Sequence, residues 1–354
     1  MEAILLVGGQ GTRLRPLTIG TPKPMLPAAG VPFLTHLLAR ARQAGVDHVV
    51  LATSYQPDVF AAHFGDGAAL DLHLDYVTED EPLGTGGGIR NVVGALTGDG
   101  PVLVFNGDVL SGLDLSALLA HHAHSGAEVT LHLTTVSDPR AFGVVPTEAD
   151  GTVTAFLEKT PDPPTNRINA GTYVFSREAL LAIPPGRVVS VERDTFPAIL
   201  ARGGHIASVT DTTYWLDLGT PAAFVRGSCD LVLGVAPSPA VPGPTGPSLV
   251  LTGAEVAADA VLTGGTVVGT GSVVGAGVRL DGVVVMAGVR IGAGAAVRAS
   301  VLGTGCSVGA RSVLDGVVIG AGAVVGAGCE LLTGVRVFPG TVIADGGVRF
   351  SSDR

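Results

Sequence analysis

From residue 256 onward an aliphatic side chain returns every six residues, and few sequence patterns restrict a fold more tightly. The series runs Val256, Leu262, Val268, Val274, Leu280 and Met286. It resumes at Ile291 and Val297, continues through Leu302, Val308 and Leu314, and ends with Ile319, Val325, Leu331, Val337 and Ile343. The register slips by one residue at three places, and a Gly or another small residue usually follows each aliphatic. A period of six with small residues at its corners is the hexapeptide signature of a parallel β-helix. Each coil needs one inward aliphatic per flat face and little bulk where the chain turns. Three hexads per coil give roughly five coils.

The preceding chain is of another kind. Residues 1–233 alternate strand and helix signals. Continuous apolar runs at Glu2–Val7, His48–Thr53, Leu72–Val77, Pro101–Asn106 and Glu128–Thr135 predict strands, the first buried on both faces. Pro32–Ala44, Gly87–Leu96 and Leu113–Ser125 predict helices; in the first, Leu34, Leu37, Leu38 and Ala41 share a face and Gly45 is the stop. Such β/α alternation implies an α/β domain with an open, mostly parallel sheet. Its ligands are expected outside the carboxyl ends of the strands. Residues 234–248 carry the prolines of an extended linker. The expected organisation is therefore a domain over 1–233, a linker over 234–248 and a β-helix over 249–354.

A net charge of −10 argues against nucleic acid or an anionic membrane as partner. No run approaches the ~20 apolar residues of a membrane span. The first residues lack the basic region of a signal peptide, so the cytoplasm is the default compartment. Three cysteines, Cys229, Cys306 and Cys329, suit neither a disulfide framework nor a metal-ligand spacing.

The basic residues are unevenly placed. There are 19 Arg but only two Lys, Lys23 and Lys159. Arg-rich codon usage accounts for the scarcity but not for which two remain. A compact ammonium differs from a guanidinium in reach and hydration, so a surviving Lys is a candidate phosphate contact. Between Glu2 and Asp47 there is no acidic residue, while Arg13, Arg15, Lys23, Arg40 and Arg42 fall there. That segment opens with Gly8-Gly9-Gln10-Gly11-Thr12-Arg13-Leu14-Arg15-Pro16-Leu17-Thr18 and continues to Pro22-Lys23-Pro24. Glycines let backbone N–H groups approach phosphate oxygens, and Arg13 offers a bidentate cation to them. The loop is neither a Walker A motif nor GxGxxG. The tract His121-His122-x-His124 ends a helical segment and reads as solvated rather than metal-binding.

The loop resembles the signature of the sugar-nucleotide pyrophosphorylases, most closely their mannose-1-phosphate guanylyltransferase branch. The likeness continues along the chain through Glu79–Gly87, Phe105-Asn106-Gly107-Asp108, Phe142–Val145, Glu158-Lys159, Ile168–Phe175, Ser190–Pro197 and Tyr214–Gly219. One departure is Thr160, where the family usually has Pro after Glu-Lys. The resemblance implies a Rossmann-like nucleotidyltransferase domain and a left-handed β-helix. It implies transfer of a nucleotidyl group from GTP to mannose 1-phosphate with release of pyrophosphate. It assigns Leu6, Gly8, Gly9, Gly11, Thr12, Arg13, Lys23, Glu81, Gly84 and Thr85 to the nucleotide. Gly143, Glu158, Lys159 and Asn169 fall to the sugar phosphate, and Asp108 and Asp217 to Mg²⁺. Catalytic roles fall to Arg13, Lys23 and Lys159. For Glu81 a plain surface carboxylate is the equal alternative.

Three other readings compete. One changes the substrates to glucose 1-phosphate with UTP, dTTP or ATP. A second adds acyl transfer on the β-helix, but residues 206–354 contain no His to serve as base. A third is a non-catalytic regulatory paralogue, in which damage at Arg13, Lys23, Asp108 or Lys159 would be expected; all four are intact. The β-helix is then expected to serve homo-oligomerisation, since its faces and open end need cover.

Overall fold

A computed structural model describes residues 1–349. The chain forms two compact units, one of residues 1–9 and 37–215, the other of residues 10–36 and 216 onward.

The first unit is built on one mixed sheet. In chain order its elements are β1 (Glu2–Leu6), α1 (Phe33–Gln43), β2 (His48–Thr53), α2 (Pro57–Phe64), β3 (His73–Thr78), α3 (Gly84–Val92), β4 (Val102–Asn106) and α4 (Leu115–Ser125). Then come β5 (Val129–Thr135), β6 (Gly143–Val144), β7 (Leu157–Glu158), β8 (Arg167–Phe175), α5 (Arg177–Ala182), α6 (Phe196–Ala201) and β9 (Ile206–Asp211). The sheet order is β7-β6-β8-β4-β1-β2-β3, with β5 pairing β8 and β9 pairing β5. Strands β4, β1, β2 and β3 run parallel, whereas β8 is antiparallel to β4 and β5.

The parallel strands are apolar runs because helices cover both faces. Ile4, Val50, Val102 and Val104 are fully buried in a core that also takes Ile89 and Val92 of α3 and Phe175 and Phe196. The expected face of α1 is buried at Leu34, Leu37, Leu38 and Ala41. Helix α4 starts where Asp114 accepts the N–H groups of Ser116 and Ala117, and stops at Gly126 in the left-handed conformation. His122 is buried on α4, its Nδ1 2.9 Å from the Thr130 hydroxyl. It is a packed residue of the helix, not a solvated one, because its turn faces β5.

The second unit holds the repeat. Its short strands stack in three parallel sheets, consistent with a left-handed β-helix. Inward aliphatics stack coil on coil: Val268 over Val285, then Leu302 and Ile319; Val274 over Ile291, Val308 and Val325; Leu280 over Val297, Leu314 and Leu331. The inward residue after Leu280 is Val285 rather than Met286. The corner between them carries Gly282 at φ 60° and closes a residue early. The same short corner recurs at Ala299 and Gly316, so each slip in the sequence is one tight corner that leaves the stack intact.

Most other corners carry glycine because the next coil lies directly beneath. A Cβ on Gly292 would stand 2.6 Å from the backbone nitrogen of Ala310. Gly292→Val is therefore expected to destabilise the β-helix by about 1–3 kcal/mol through overpacking. A lower urea midpoint for the transition of this unit, at unchanged slope, is the check; an unchanged midpoint contradicts this packing.

Helix α7 (Pro221–Val232) packs on this unit's strands Thr266–Val268 and Val284–Val285 and on the hairpin formed by Pro27–Ala28 and Val31–Pro32. Residues 234–248 do not run extended: Gly246 N–H returns to Val232 O, Ala236 is buried, and the Ser238 hydroxyl lies 2.7 Å from His36 Nδ1. The prolines here shape turns, because both ends of the segment are tied to α7 and the first strand of the β-helix. The three cysteines are free and buried, and burial pushes the Cys229 and Cys306 thiols up to about 12.

Candidate active site

In the second unit the glycine-rich signature ends in a tight turn. Gly11 takes φ 59°, a left-handed value that favours glycine, and starts a 3-10 turn over Thr12–Leu14. Its carbonyl accepts from Leu14 N–H and from the Thr18 hydroxyl at 2.9 Å. A Cβ on Gly11 would lie 3.0 Å from both Lys23 Cβ and Thr18 Cγ2, so the turn rests against the Lys23 stem.

Lys23 opens a second 3-10 turn between Pro22 and Pro24. Its side chain is only 10% exposed and its Nζ is 3.7 Å from Asp217 Oδ1. The Arg13 guanidinium, 64% exposed, is 3.8 Å from Asp217 Oδ2. Two cations thus converge on one carboxylate, and neither sits at direct hydrogen-bond length from it. Gly219 leaves room for this arrangement, since a Cβ there would stand 2.8 Å from Arg13 Cζ. Sequence reasoning passed over Gly219, although it closes the Trp-Leu-Asp-Leu-Gly stretch.

The remaining candidates belong to the first unit. Leu6 ends β1, and its carbonyl accepts the N–H of Gly107 at 2.9 Å. A Cβ on Gly107 would be 2.5 Å from that oxygen, which explains Asn-Gly-Asp: the glycine lets β4 pass β1 and deliver Asp108 just beyond the strand. Gly8 accepts from the Ser54 hydroxyl at 2.6 Å, and Gly9 faces open space.

The Gly84–Gly88 run has a packing role. Gly86 and Gly87 donate to Val189 O, and Cβ atoms on Gly84 and Gly87 would meet the backbone of residues 187–189. The Thr85 hydroxyl donates to Glu192 Oε2 at 2.9 Å and accepts from Val191 N–H. Glu81 is exposed. Glu79, which the sequence did not single out, accepts the Leu83 N–H before α3, and burial pushes its carboxyl up.

Gly143 of β6 faces Glu158 of β7, and a Cβ on it would lie 2.8 Å from the Phe156 ring. Lys159 follows at φ 51°, its Nζ 3.6 Å from Glu158 Oε1 and its side chain 62% exposed. Asn169 sits at the bulge of β8: its amide nitrogen donates to the Tyr173 hydroxyl at 2.7 Å and its oxygen accepts from Gly171 N–H. Tyr173 is fully buried, with its phenol held neutral by burial, and its hydroxyl reaches Glu192 at 3.5 Å. Glu192 therefore anchors a network through Thr85, Tyr173 and Asn169. Its nearest partner is local, the Ser190 hydroxyl at 2.8 Å, but Tyr173 and Thr85 lie 19 and 107 residues away, and that part of the network is not visible in the sequence.

Residues 2–232 match the model of the family described as nucleotidyl transferase. This chain belongs to that family. Residues 244–347 match the GMPPB C-terminal domain. Over all 354 residues the transferase is 58% identical to the mannose-1-phosphate guanylyltransferase of Mycobacterium tuberculosis, spanning 100% of this chain and 98% of that protein. Over 232 residues it is 37% identical to the mannose-1-phosphate guanylyltransferase catalytic subunit beta of Xenopus tropicalis, 65% of this chain and 64% of that one. Among solved structures it is similar to HddC from Yersinia pseudotuberculosis complexed with GMP-PN. There the TM-score is 0.56 and the identity 28%, over 64% of this chain and 97% of that chain. The family resemblance drawn from the motifs is borne out.

Nucleotidyltransferases generally use a divalent metal. Asp217 suits one, since its carboxylate supplies the oxygen ligands a hard cation takes. Among the described residues no helix is long and apolar enough to cross a membrane. If Gly219 holds open the space for the Arg13 guanidinium, Gly219→Ala raises the nucleotide KM about tenfold, in line with the cost of small misplacements. Initial rates at varied nucleotide check this, and an unchanged KM contradicts the steric role.

Proposed function

We propose that this transferase joins GTP to mannose 1-phosphate, giving GDP-mannose and pyrophosphate. The observation that carries the reading is the pair of signature cations, Arg13 and Lys23, converging on Asp217 beside a left-handed turn at Gly11. The full-length relative from Mycobacterium tuberculosis supports the choice of substrates.

The sugar 1-phosphate is mostly dianionic near neutral pH, with a second pKa of about 6. Its oxygen is already a nucleophile, so no residue needs to remove a proton. It attacks the α-phosphorus, a new P–O bond forms, and the bond to the β-phosphate oxygen breaks with its electron pair leaving on pyrophosphate. The chain's work is positioning and charge neutralisation. Arg13 takes the triphosphate and the charge growing on pyrophosphate. Lys23, held stiff between prolines, positions phosphate. Lys159 binds the nucleophile's phosphate, and Glu158, Gly143 and Asn169 serve the sugar. Leu6, Gly8, Gly9, Gly11, Thr12, Glu81, Gly84 and Thr85 serve the nucleotide. Asp108 and Asp217 are each proposed as carboxylate ligands of Mg²⁺, which when bound would lower the repulsion between two anionic substrates.

The reading also takes the protein to be cytoplasmic and homo-oligomeric through its β-helix, where Leu332, Val335, Phe338 and Val342 are exposed. The decisive assay is pyrophosphate release from four nucleoside triphosphates against mannose and glucose 1-phosphates, with and without Mg²⁺. Highest kcat/KM for GTP with mannose 1-phosphate is expected. A preference for glucose 1-phosphate with UTP, dTTP or ATP overturns the substrate assignment.

A further inference from the structure

The last coils of the β-helix reach the signature turn within the same compact unit. Arg336 belongs to the strand Arg336–Val337, which stacks on Val318–Ile319. Its Nη1 donates to two backbone carbonyls, Arg13 O at 2.9 Å and Arg15 O at 2.8 Å.

The local chemistry explains why an outside donor is needed. In the 3-10 turn the Gly11 and Thr12 carbonyls accept from Leu14 and Arg15 N–H, three residues on. The next carbonyl in that pattern, Arg13 O, would need the N–H of residue 16. That residue is Pro16, which has none. The guanidinium of Arg336 supplies the missing donor and ties Arg15 O to the same nitrogen. A charged donor makes stronger hydrogen bonds than a neutral one. It also brings positive rather than negative charge to a loop suited to phosphate.

Resting on the proposed function, we propose that Arg336 is a positioning residue for nucleotidyl transfer. It holds the peptide planes on either side of Leu14, and so fixes the backbone from which the Arg13 guanidinium is aimed. The β-helix thereby completes the nucleotide-binding turn instead of serving only as an assembly module. Arg336 touches no substrate and acts through Arg13. Lysine replaces it only in part: an ammonium has donors enough for both carbonyls, but on a flexible stem it lacks the planar guanidinium that presents the two Nη1 N–H bonds in a fixed plane.

The test uses the full chain with Arg336→Ala, Arg336→Lys and, as a control elsewhere on the β-helix, the exposed Arg279→Ala. Amide hydrogen exchange without ligand reads the turn directly, at Leu14, Arg15 and Leu17. Steady-state kinetics read the consequence. In R336A we expect exchange at these amides about tenfold faster and a nucleotide KM about tenfold higher, as for loss of a charge-assisted hydrogen bond. The KM for sugar 1-phosphate should stay within about twofold and the melting temperature within about 2 °C, with R336K intermediate and R279A unchanged. Unchanged exchange in R336A overturns the proposal. So does faster exchange with an unchanged nucleotide KM, or an equal rise in both KM values with a large fall in melting temperature. If the wild-type chain turns over no nucleotide at all, the proposed function fails, while the exchange measurement still decides whether Arg336 holds the turn.

Discussion

Alanine at Lys23 lowers kcat/KM by about 10³-fold without unfolding the protein. The magnitude follows from removing one preorganised cation from a site where charge develops on leaving pyrophosphate. Lys23 is buried to the tip, with Nζ near Asp217 and its stem under Gly11. A surface lysine of the same charge would contribute far less, because water screens it. Arginine is not expected to restore activity, since a longer, planar guanidinium does not replace a compact ammonium at a side chain only 10% exposed. Initial-rate pyrophosphate release measures the effect. A variant within threefold of wild type would remove Lys23 from the phosphate-binding role.

Lys159→Ala separates the two substrates. It should lower kcat/KM for sugar 1-phosphate by about 10²-fold, the loss of one cation on the nucleophile's phosphate, while the nucleotide KM stays near wild type. The competing reading is an exposed ion pair with Glu158, and the experiment separates the two. Lys159 holds φ 51°, an uncommon backbone for a residue other than glycine, and its ammonium stands 3.6 Å from Glu158, too long for a direct hydrogen bond. Equal losses toward both substrates, or none, would contradict the assignment.

Much of this structure is legible in the sequence, and the exceptions have physical causes. Strand β2 spans His48–Thr53 as its apolar run predicts, and α1 buries the face expected of it, because burial on both sides of a parallel sheet and amphipathic periodicity are both local signals. Val285 and Met286 are both apolar, so periodicity alone could not show which one enters the coil. A short corner at Gly282, stacked on the preceding coil, decides it. The resemblance assigns Gly84 and Thr85 to the nucleotide, and Gly87 opens a predicted helix. The crowding of these glycines against residues 187–189 emerges only once the chain has folded back on them. His122 looked solvated because its covering strand lies outside the helix that carries it.

The site divides in the same manner. Arg13, Lys23 and Asp217 announce themselves by residue type and motif. The parts that hold them do not: Gly219 is one glycine among 52, and Arg336 meets the turn 321 residues further along the chain. Supporting residues are recognised by what they touch, and contact at that separation leaves no trace in composition or spacing.

In the proposed reaction displacement at phosphorus is direct, with the chain supplying charge and position but no nucleophile of its own. The stereochemical course with a GTP analogue chiral at the α-phosphorus by sulfur substitution tests it most directly. A single in-line attack by the mannose 1-phosphate oxygen inverts that centre in the sugar-nucleotide product. Retention would reveal two successive displacements through a nucleotidyl-enzyme and would contradict direct transfer.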